Sequence, residues 1–406
     1  MGYAASAGAL VPLDKTTIPF YLSPSRFADL FDCPLSALHG LPAAERLPPA
    51  PLAVLGTVLH EVAERWEGGG PDPAGTFAEL FGTALASHEK QLVANPDTVS
   101  LVPLQNAVGR LEWRTRVASF QKRVVASGVS RFPKTSARRG IADSTAVPTG
   151  TEVRLAAPSL RLSGVVDRIH REGELFVLTD YKSGAVTGPD GLPLPRYALQ
   201  LELYALMVEA LYPDVRLALR LVGAEMAEVE WNDDSRREIS SSLADMLSRL
   251  PAGASLPAAS LACPGRHCGR CGIRHRCSSY LEIAPVWWLE ESQRGPVAPF
   301  DVWGRIAEVG SDQDGLTNVV LKDQAGRTVD VARLRPRPST ANLRRGENIA
   351  VFGLEPTERL EHRAGYRHPR NFHEVAPNSG WASARGACVF TWPEMVLSEP
   401  ETPSKM

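Results

Sequence analysis

The chain has 406 residues, 44% hydrophobic and 22% charged, with a net charge of −2, a composition ordinary for a globular protein with two or three cores. The sequence contains no apolar run of about 18 residues, which excludes a membrane-spanning helix, and the first residues lack the basic flank and apolar core of a signal peptide; a cytoplasmic protein with no membrane partner is expected. The near-neutral sum excludes a uniformly basic nucleic-acid binder, yet "RFPKTSARR" (131–139), "RHCGRCGIRHRC" (266–277) and "RLRPRPSTANLRR" (333–345) are basic islands that together suggest a phosphate-lined path.

Residues 1–19 read as an N-terminal extension. "LSPSRFADLFDCPLSALHGL" (22–41) predicts a short helix capped by Ser23 or Ser25 and ended by Cys33-Pro34. In "LAVLGTVLHEVAERW" (52–66), Leu55, Val58, Leu59, Val62 and Trp66 follow helical spacing, and a mostly helical region continues to about residue 127. Two strands then flank the polar run Arg171–Glu174 in "GVVDRIHREGELFVLTDYKSG" (164–184). If the hairpin turns tightly about Gly173 and Glu174, opposed residues have numbers summing to 347, so Asp167 faces Asp180, with Cβ atoms about 5 Å apart. Lys182, two residues past Asp180, shares that face. Like charges directly opposed destabilise a sheet, and a lysine salt bridge explains only one of the two. A divalent cation such as Mg²⁺ or Mn²⁺ between the carboxylates explains both; a slipped register would leave both on a solvated strand.

"YALQLELYALMVEALYP" (197–213) predicts a further helix, 215–232 further strand, and "SSLADMLSRL" (241–250) a helix leading into the cysteines. Cysteines stand at 33, 263, 268, 271, 277 and 388. In a cytoplasmic chain of this size the CxxC-x5-C spacing of Cys268, Cys271 and Cys277 points to metal rather than disulfides, and Cys388 reads as a free, partly buried thiol. Beyond Pro285 short strands between Gly, Asp and Asn turns predict a small all-β barrel over 297–375, and 376–406 reads as a C-terminal tail. No GxxxxGK[ST] occurs, so no P-loop motor is encoded.

Four stretches in order, "GTVLH" (56–60), "GVVDRI" (164–169), "DYK" (180–182) and "QLELY" (200–204), resemble the RecB-like branch of the PD-(D/E)XK nuclease superfamily, which includes AddB-type and CRISPR-associated iron–sulfur nucleases. The resemblance covers residues 20–285. It implies an α/β restriction-endonuclease-like core, a mixed sheet flanked by helices, with His60, Asp167, Asp180, Lys182, Gln200 and Tyr204 as catalytic residues. Asp167, Asp180, His60 and the backbone carbonyl of Tyr181 would hold Mg²⁺ or Mn²⁺. Lys182 would orient or activate the attacking water and stabilise charge on phosphorus. Gln200 and Tyr204, one helical turn apart, would support the centre or the strand. Gly56, four residues before His60, would let another element approach closely, and Glu152 is a further acidic contributor.

The same resemblance implies that Cys268, Cys271 and Cys277 join the distant Cys33 around a [4Fe–4S] cluster that staples the two ends of the domain. Zinc on these cysteines, with Cys263, His267 or His275 replacing Cys33, stays open. Residues 297–375 resemble an OB-fold on Gly304, Ile306, Val320, Leu321, Asp323, Gly326 and Gly346. That implies base stacking on Trp303 and Phe352 and phosphate contacts from Arg333, Arg335 and Arg337; a core role for both aromatics, and a protein-docking role for the barrel, stay open.

The leading reading is a metal-dependent DNA nuclease, an exonuclease on DNA ends or single strands, in repair, recombination or a defence-linked pathway. A partner helicase would supply any motor. The alternative is a non-catalytic DNA-binding scaffold whose iron–sulfur or zinc clamp and OB barrel act beside such a helicase. A zinc-dependent regulator is disfavoured because no recognition helix is apparent.

Overall fold

A computed structural model describes residues 11–67, 77–94, 98–126, 147–282, 300–311, 315–322, 328–334, 343–356 and 380–391. The chain begins with β1 (Lys15–Thr17), α1 (Pro24–Asp32) and α2 (Pro34–Leu38). The short helix expected to end at Cys33-Pro34 is α1, and a second short helix, α2, follows the break. Pro34 has no N–H to continue α1 and drives the residue before it out of helical geometry; Cys33 accordingly lies extended, at φ −161°, in the break. That break leaves Cys33 buried at the junction of the two helices.

A helical unit follows: α3 (Pro51–Glu67), α4 (Phe77–Ala94), α5 (Leu104–Val108) and α6 (Arg110–Ala126). The apolar stripe read from the sequence, Leu55, Val58, Leu59 and Val62, is buried, with Trp66 packed at its edge. It meets Phe77 and Ala84 of α4 and Trp113 and Phe120 of α6 in a core of its own.

The central sheet holds β2 (Gly150–Ala157), β3 (Leu162–Glu172), β4 (Leu175–Tyr181), β5 (Leu217–Val222) and β6 (Met226–Val229) in that spatial order. Only β4 and β5 run parallel. A parallel pair needs a crossover, and α7 (Pro195–Leu211) lies in that connection. Residues 200, 201 and 203–208 of α7 are buried, which is why its sequence is apolar nearly all round. The chain then forms α8 (Asp233–Arg249), β7 (Ser255–Pro257), which pairs antiparallel with β1, and α9 (Ala258–Leu261). Among the described residues no helix is long and apolar enough to cross a membrane.

The C-terminal strands β8 (Phe300–Ser311), β9 (Thr317–Lys322), β10 (Thr328–Leu334), β11 (Asn348–Pro356) and β12 (Gly380–Thr391) close into a barrel in the order β10-β12-β11-β8-β9. β10 and β12 are parallel and the other neighbours antiparallel. The segment expected as a tail from residue 376 therefore contains a strand. β8 to β11 leave two open edges, and β12 pairs with both β10 and β11, satisfying backbone groups that those edges would expose. Cys388 lies in β12 opposite Phe352. Asp323, Gly326, Arg335, Arg337, the side chain of Arg333 and the basic island 131–139 lie outside the described residues.

The barrel is welded to the preceding domain through charge. Asp301 of β8 is fully buried and receives Arg274 through two bonds, Nε to Oδ2 at 2.6 Å and Nη2 to Oδ1 at 2.9 Å. Tyr280 Oη donates to Oδ2 at 2.7 Å and the Gly353 N–H of β11 to Oδ1 at 2.7 Å. Burial works against the charge on Arg274, and Asp301 more than offsets it, raising the guanidinium pKa. Phe352 is buried against the His275 ring, with centroids 6.0 Å apart. It is core, and the stacking role considered for it is corrected. Within the island 266–277, Arg274 is spent on Asp301 and Arg276 pairs with Glu45 at 3.1 Å, while Arg270 is exposed.

Candidate active site

The β3–β4 ladder pairs Arg168 with Thr179, Ile169 with Leu178 and Glu172 with Leu175, the register expected from a turn at Gly173-Glu174. Asp167 and Asp180 stand at the next position, just past the end of the ladder. On the other side of β3, Thr151 pairs with Arg168 and Val153 with Val166, which sets Glu152 opposite Asp167. Glu152, Asp167 and Asp180 thus occupy one row across three adjacent strands.

Burial along β3 changes phase at this row. Leu162 and Val166 are buried on one alternation, then Asp167 and Ile169 on the other. Opposite the phase change, Glu152 adopts left-handed backbone geometry at φ 52°, which costs an L-residue with a Cβ about 1–2 kcal/mol. Such strain persists only where the surroundings impose it. In an ordinary strand glycine is the worse residue; here the order should invert, Glu152→Gly proving more stable than Glu152→Ala by about 1 kcal/mol in urea unfolding. Equal stabilities would show that the backbone is unstrained.

α3 brings His60 over the row, its Nε2 3.4 Å from Asp167 Oδ1 and 3.6 Å from Glu152 Oε1. Ligand atoms of His60, Glu152 and Asp167 lie within 4.8 Å of one another, a set able to hold a metal ion. Gly56, one turn before His60, does permit a close approach: a Cβ there would stand 3.1 Å from Ser183 Oγ. Asp167 Oδ2 accepts the Tyr181 N–H at 2.7 Å, tying the two strands together at the site.

Asp180 is 2% exposed. Its Oδ1 accepts from Gln200 Nε2 at 2.7 Å; its Oδ2 lies 2.5 Å from Lys182 Nζ but takes no aligned hydrogen bond. Lys182 donates to Gln200 Oε1 at 3.1 Å and stands 5.0 Å from the centroid of the Tyr197 ring. Gln200 thereby bridges the acid and the ammonium, so its amide orientation is fixed by both partners. Burial pushes the Asp180 pKa up, to about 7; Lys182 opposes the rise and the neighbouring Asp167 charge adds to it. Tyr204 donates its hydroxyl to the Val165 carbonyl at 2.7 Å, and burial followed by the two aspartate charges raises its pKa. Gly164 makes room for it, since a Cβ there would lie 2.9 Å from the ring and hydroxyl.

The fold therefore gathers His60, Glu152, Asp167, Asp180, Lys182 and Gln200 at one place, with Tyr181 between the acid and the lysine. Tyr204 supports the backbone of β3 two residues before Asp167. Glu152 carries a weak local signal, being one acid in an alternating strand; its place follows from register alone.

A second cluster is formed by cysteines. Cys33, Cys268, Cys271 and Cys277 line one cleft of about 270 Å³, part of it open to solvent, together with His267 and Tyr280. Each sulfur has a polar neighbour: the N–H of Cys263 at 3.4 Å from Cys33 Sγ, that of Gly265 at 3.3 Å from Cys268 Sγ and that of Tyr280 at 3.4 Å from Cys277 Sγ. Ser36 Oγ lies 3.4 Å from Cys271 Sγ. Burial pushes Cys268 up to about 12 and Cys277 up to about 11, with the neighbouring thiols adding to both. Burial thus favours the neutral thiols, and ionising all four here would call for a compensating cation. Cys263 is exposed and His275 packs on the barrel, so of the substitutes considered for Cys33 only His267 lines the cleft.

A mixed sheet flanked by helices, bearing aligned acids and a lysine at the end of its central strands, is a restriction-endonuclease-like core. A family model described as PD-(D/E)XK nuclease superfamily matches residues 21–278, and the chain belongs to that superfamily. No curated protein matches the chain.

Proposed function

We propose that the protein is a metal-dependent nuclease that hydrolyses DNA at ends or in single strands. The observation that carries the reading is the row Glu152, Asp167 and Asp180 across three strands, with His60 above it and the Lys182 ammonium 2.5 Å from Asp180. PD-(D/E)XK nucleases use divalent metals, and hard carboxylate oxygens suit Mg²⁺ or Mn²⁺. Asp167, Asp180, Glu152, His60 and the Tyr181 carbonyl are the groups that would hold the ion. When bound, it would polarise a phosphoryl oxygen and acidify water. Gln200 fixes Asp180 and Lys182 relative to each other. Lys182 places a positive charge where negative charge develops on phosphorus.

Proton and metal compete for Asp180. Because burial raises this carboxyl to about 7, the folded chain binds more protons than the unfolded chain between about pH 4 and pH 7. Metal-free stability should thus fall as pH rises through that window, while Mg²⁺ or Mn²⁺ affinity rises and levels off above about pH 7. Calorimetric titrations in buffers of different ionisation enthalpy check this: proton release below pH 7 is expected in the wild type and is lost in Asp180→Asn. An affinity flat from pH 5.5 to 8 would sink it.

Cys33, Cys268, Cys271 and Cys277 are assigned a [4Fe–4S] cluster with a structural role. The four cysteines line one cleft, and N–H groups approach three of their sulfurs, which supports thiolate ligation of such a cluster. The five-stranded barrel, closed by a parallel pair, supports an OB-type module that guides the strand; its buried Phe352 leaves the half-buried Trp303 as the stacking candidate.

The test is cleavage of end-labelled single- and double-stranded DNA by anaerobically purified protein with Mg²⁺ or Mn²⁺, beside Asp180→Ala. Cleavage by the wild type alone supports the nuclease, and its product ladder gives the polarity. Folded, iron-loaded protein that binds DNA without cutting it would favour the scaffold reading.

A further inference from the structure

Arg116 of α6 belongs to the helical unit, yet its Nη1 lies 3.3 Å from the carbonyl oxygen of Ser183, the residue after Lys182. The approach is built in from both sides. A Cβ at Gly184 would stand 2.6 Å from Arg116 Nη1, so the glycine leaves the guanidinium its place. Glu112, one turn earlier, accepts from Nε at 2.6 Å and fixes the fork. Trp113 and Phe120 anchor the inner side of the same helix in the core that also holds α3 and therefore His60.

Both Ser183 and Glu112 leave much of the guanidinium open: the Arg116 side chain is 32% exposed and that of Glu112 44%. Ser183 follows Lys182 directly in the chain, so this charge is tied to the backbone next to the residue that carries the ammonium. The helix that carries it has five basic residues, Arg110, Arg114, Arg116, Lys122 and Arg123, against the single acid Glu112, in a chain whose net charge is −2. A planar fork with free donors beside a phosphoryl centre matches phosphate oxygens.

We infer that Arg116 binds the phosphate next to the one being cleaved, so that the helical unit holds the substrate strand in register with Lys182. The inference rests on the nuclease reading and adds a substrate-binding residue to it. Glu112 then has a second effect: its carboxylate competes with the incoming phosphate for the fork.

The experiment measures binding of a short fluorescein-labelled single-stranded oligonucleotide across a KCl series, with Ca²⁺ in place of Mg²⁺ to suppress cleavage, circular dichroism confirming the fold of each variant. Arg116→Gln should flatten the plot of log affinity against log salt by about 0.7, the loss of one single-strand phosphate contact. Glu112→Gln should tighten binding, and Arg114→Gln, on the exposed side of α6, should leave the slope unchanged. A brace that only supports the Ser183 loop predicts neither the flatter slope nor the gain. If Arg116→Gln fails to fold, Glu112→Gln decides: tighter binding supports the inference, and equal or weaker binding overturns it. A wild type that binds no strand would overturn the nuclease reading itself; a wild type that binds, with Arg116→Gln at the same slope, overturns only the role of Arg116.

Discussion

Replacing Lys182 with alanine should lower kcat for phosphodiester cleavage on the order of 10³-fold, about 4 kcal/mol of transition-state stabilisation, with little change in Mg²⁺ affinity. The ammonium is held in place by Asp180 and Gln200, and alanine removes that positioned charge. Asp180→Asn makes the complementary case. Asparagine keeps the volume and can still face Gln200, while the buried charge that lifts the Asp180 pKa is gone. The variant should be inactive, bind metal poorly, and be at least as stable as the wild type without metal. Single-turnover cleavage and urea unfolding on the same preparations check both halves. Retention of more than about a tenth of the wild-type rate in Lys182→Ala would remove the lysine from the chemistry. A large loss of stability in Asp180→Asn would mean that the acid is a structural ion-pair partner of Lys182.

The second large effect concerns the seat of the barrel. Asp301→Ala should destabilise the protein by about 3–5 kcal/mol, the usual consequence of stranding one member of a buried pair. Here Arg274 would keep its charge in the interior, and Tyr280 and the Gly353 N–H would lose their acceptor. Arg274→Met added to Asp301→Ala should recover part of the loss, because an apolar pair carries no desolvation penalty. Denaturation of the single and double variants measures it; a cost below about 1 kcal/mol would show that water reaches the pair. Arg274 also donates to the Cys271 carbonyl at 3.1 Å, so the weld that seats the barrel is made by the same short segment that presents Cys271 and Cys277. Loss of the cluster proposed for the cysteine cleft should therefore loosen the barrel as well, which limited proteolysis before and after chelation would detect.

Much of the site was legible before any coordinates. Alternation and a two-residue turn set the β3–β4 register, and with it the opposition of Asp167 and Asp180, because side-chain direction in a strand repeats every two residues. Helical periodicity set the buried stripe of α3 and so left Gly56 and His60 on the side facing the sheet. The Cys33-Pro34 break followed from proline's missing N–H. These are local rules, and they determine which way each side chain points.

The rest depended on partners that local rules do not choose. Glu152 joins the row only because β2 pairs with β3 in a particular register and turns left-handed at that residue. Arg116 meets Ser183 across 67 positions of sequence, and nothing in α6 marks it among its basic neighbours. Phe352 is core rather than an exposed stacking platform because β11 turns it toward His275, and the island around Arg274 is an ion-pair anchor because Asp301 arrives from the barrel. β12 belongs to the barrel because two open strand edges needed it. Sequence periodicity encodes the faces of single elements; which faces meet is decided by burial of apolar surface and pairing of backbone groups over the whole chain.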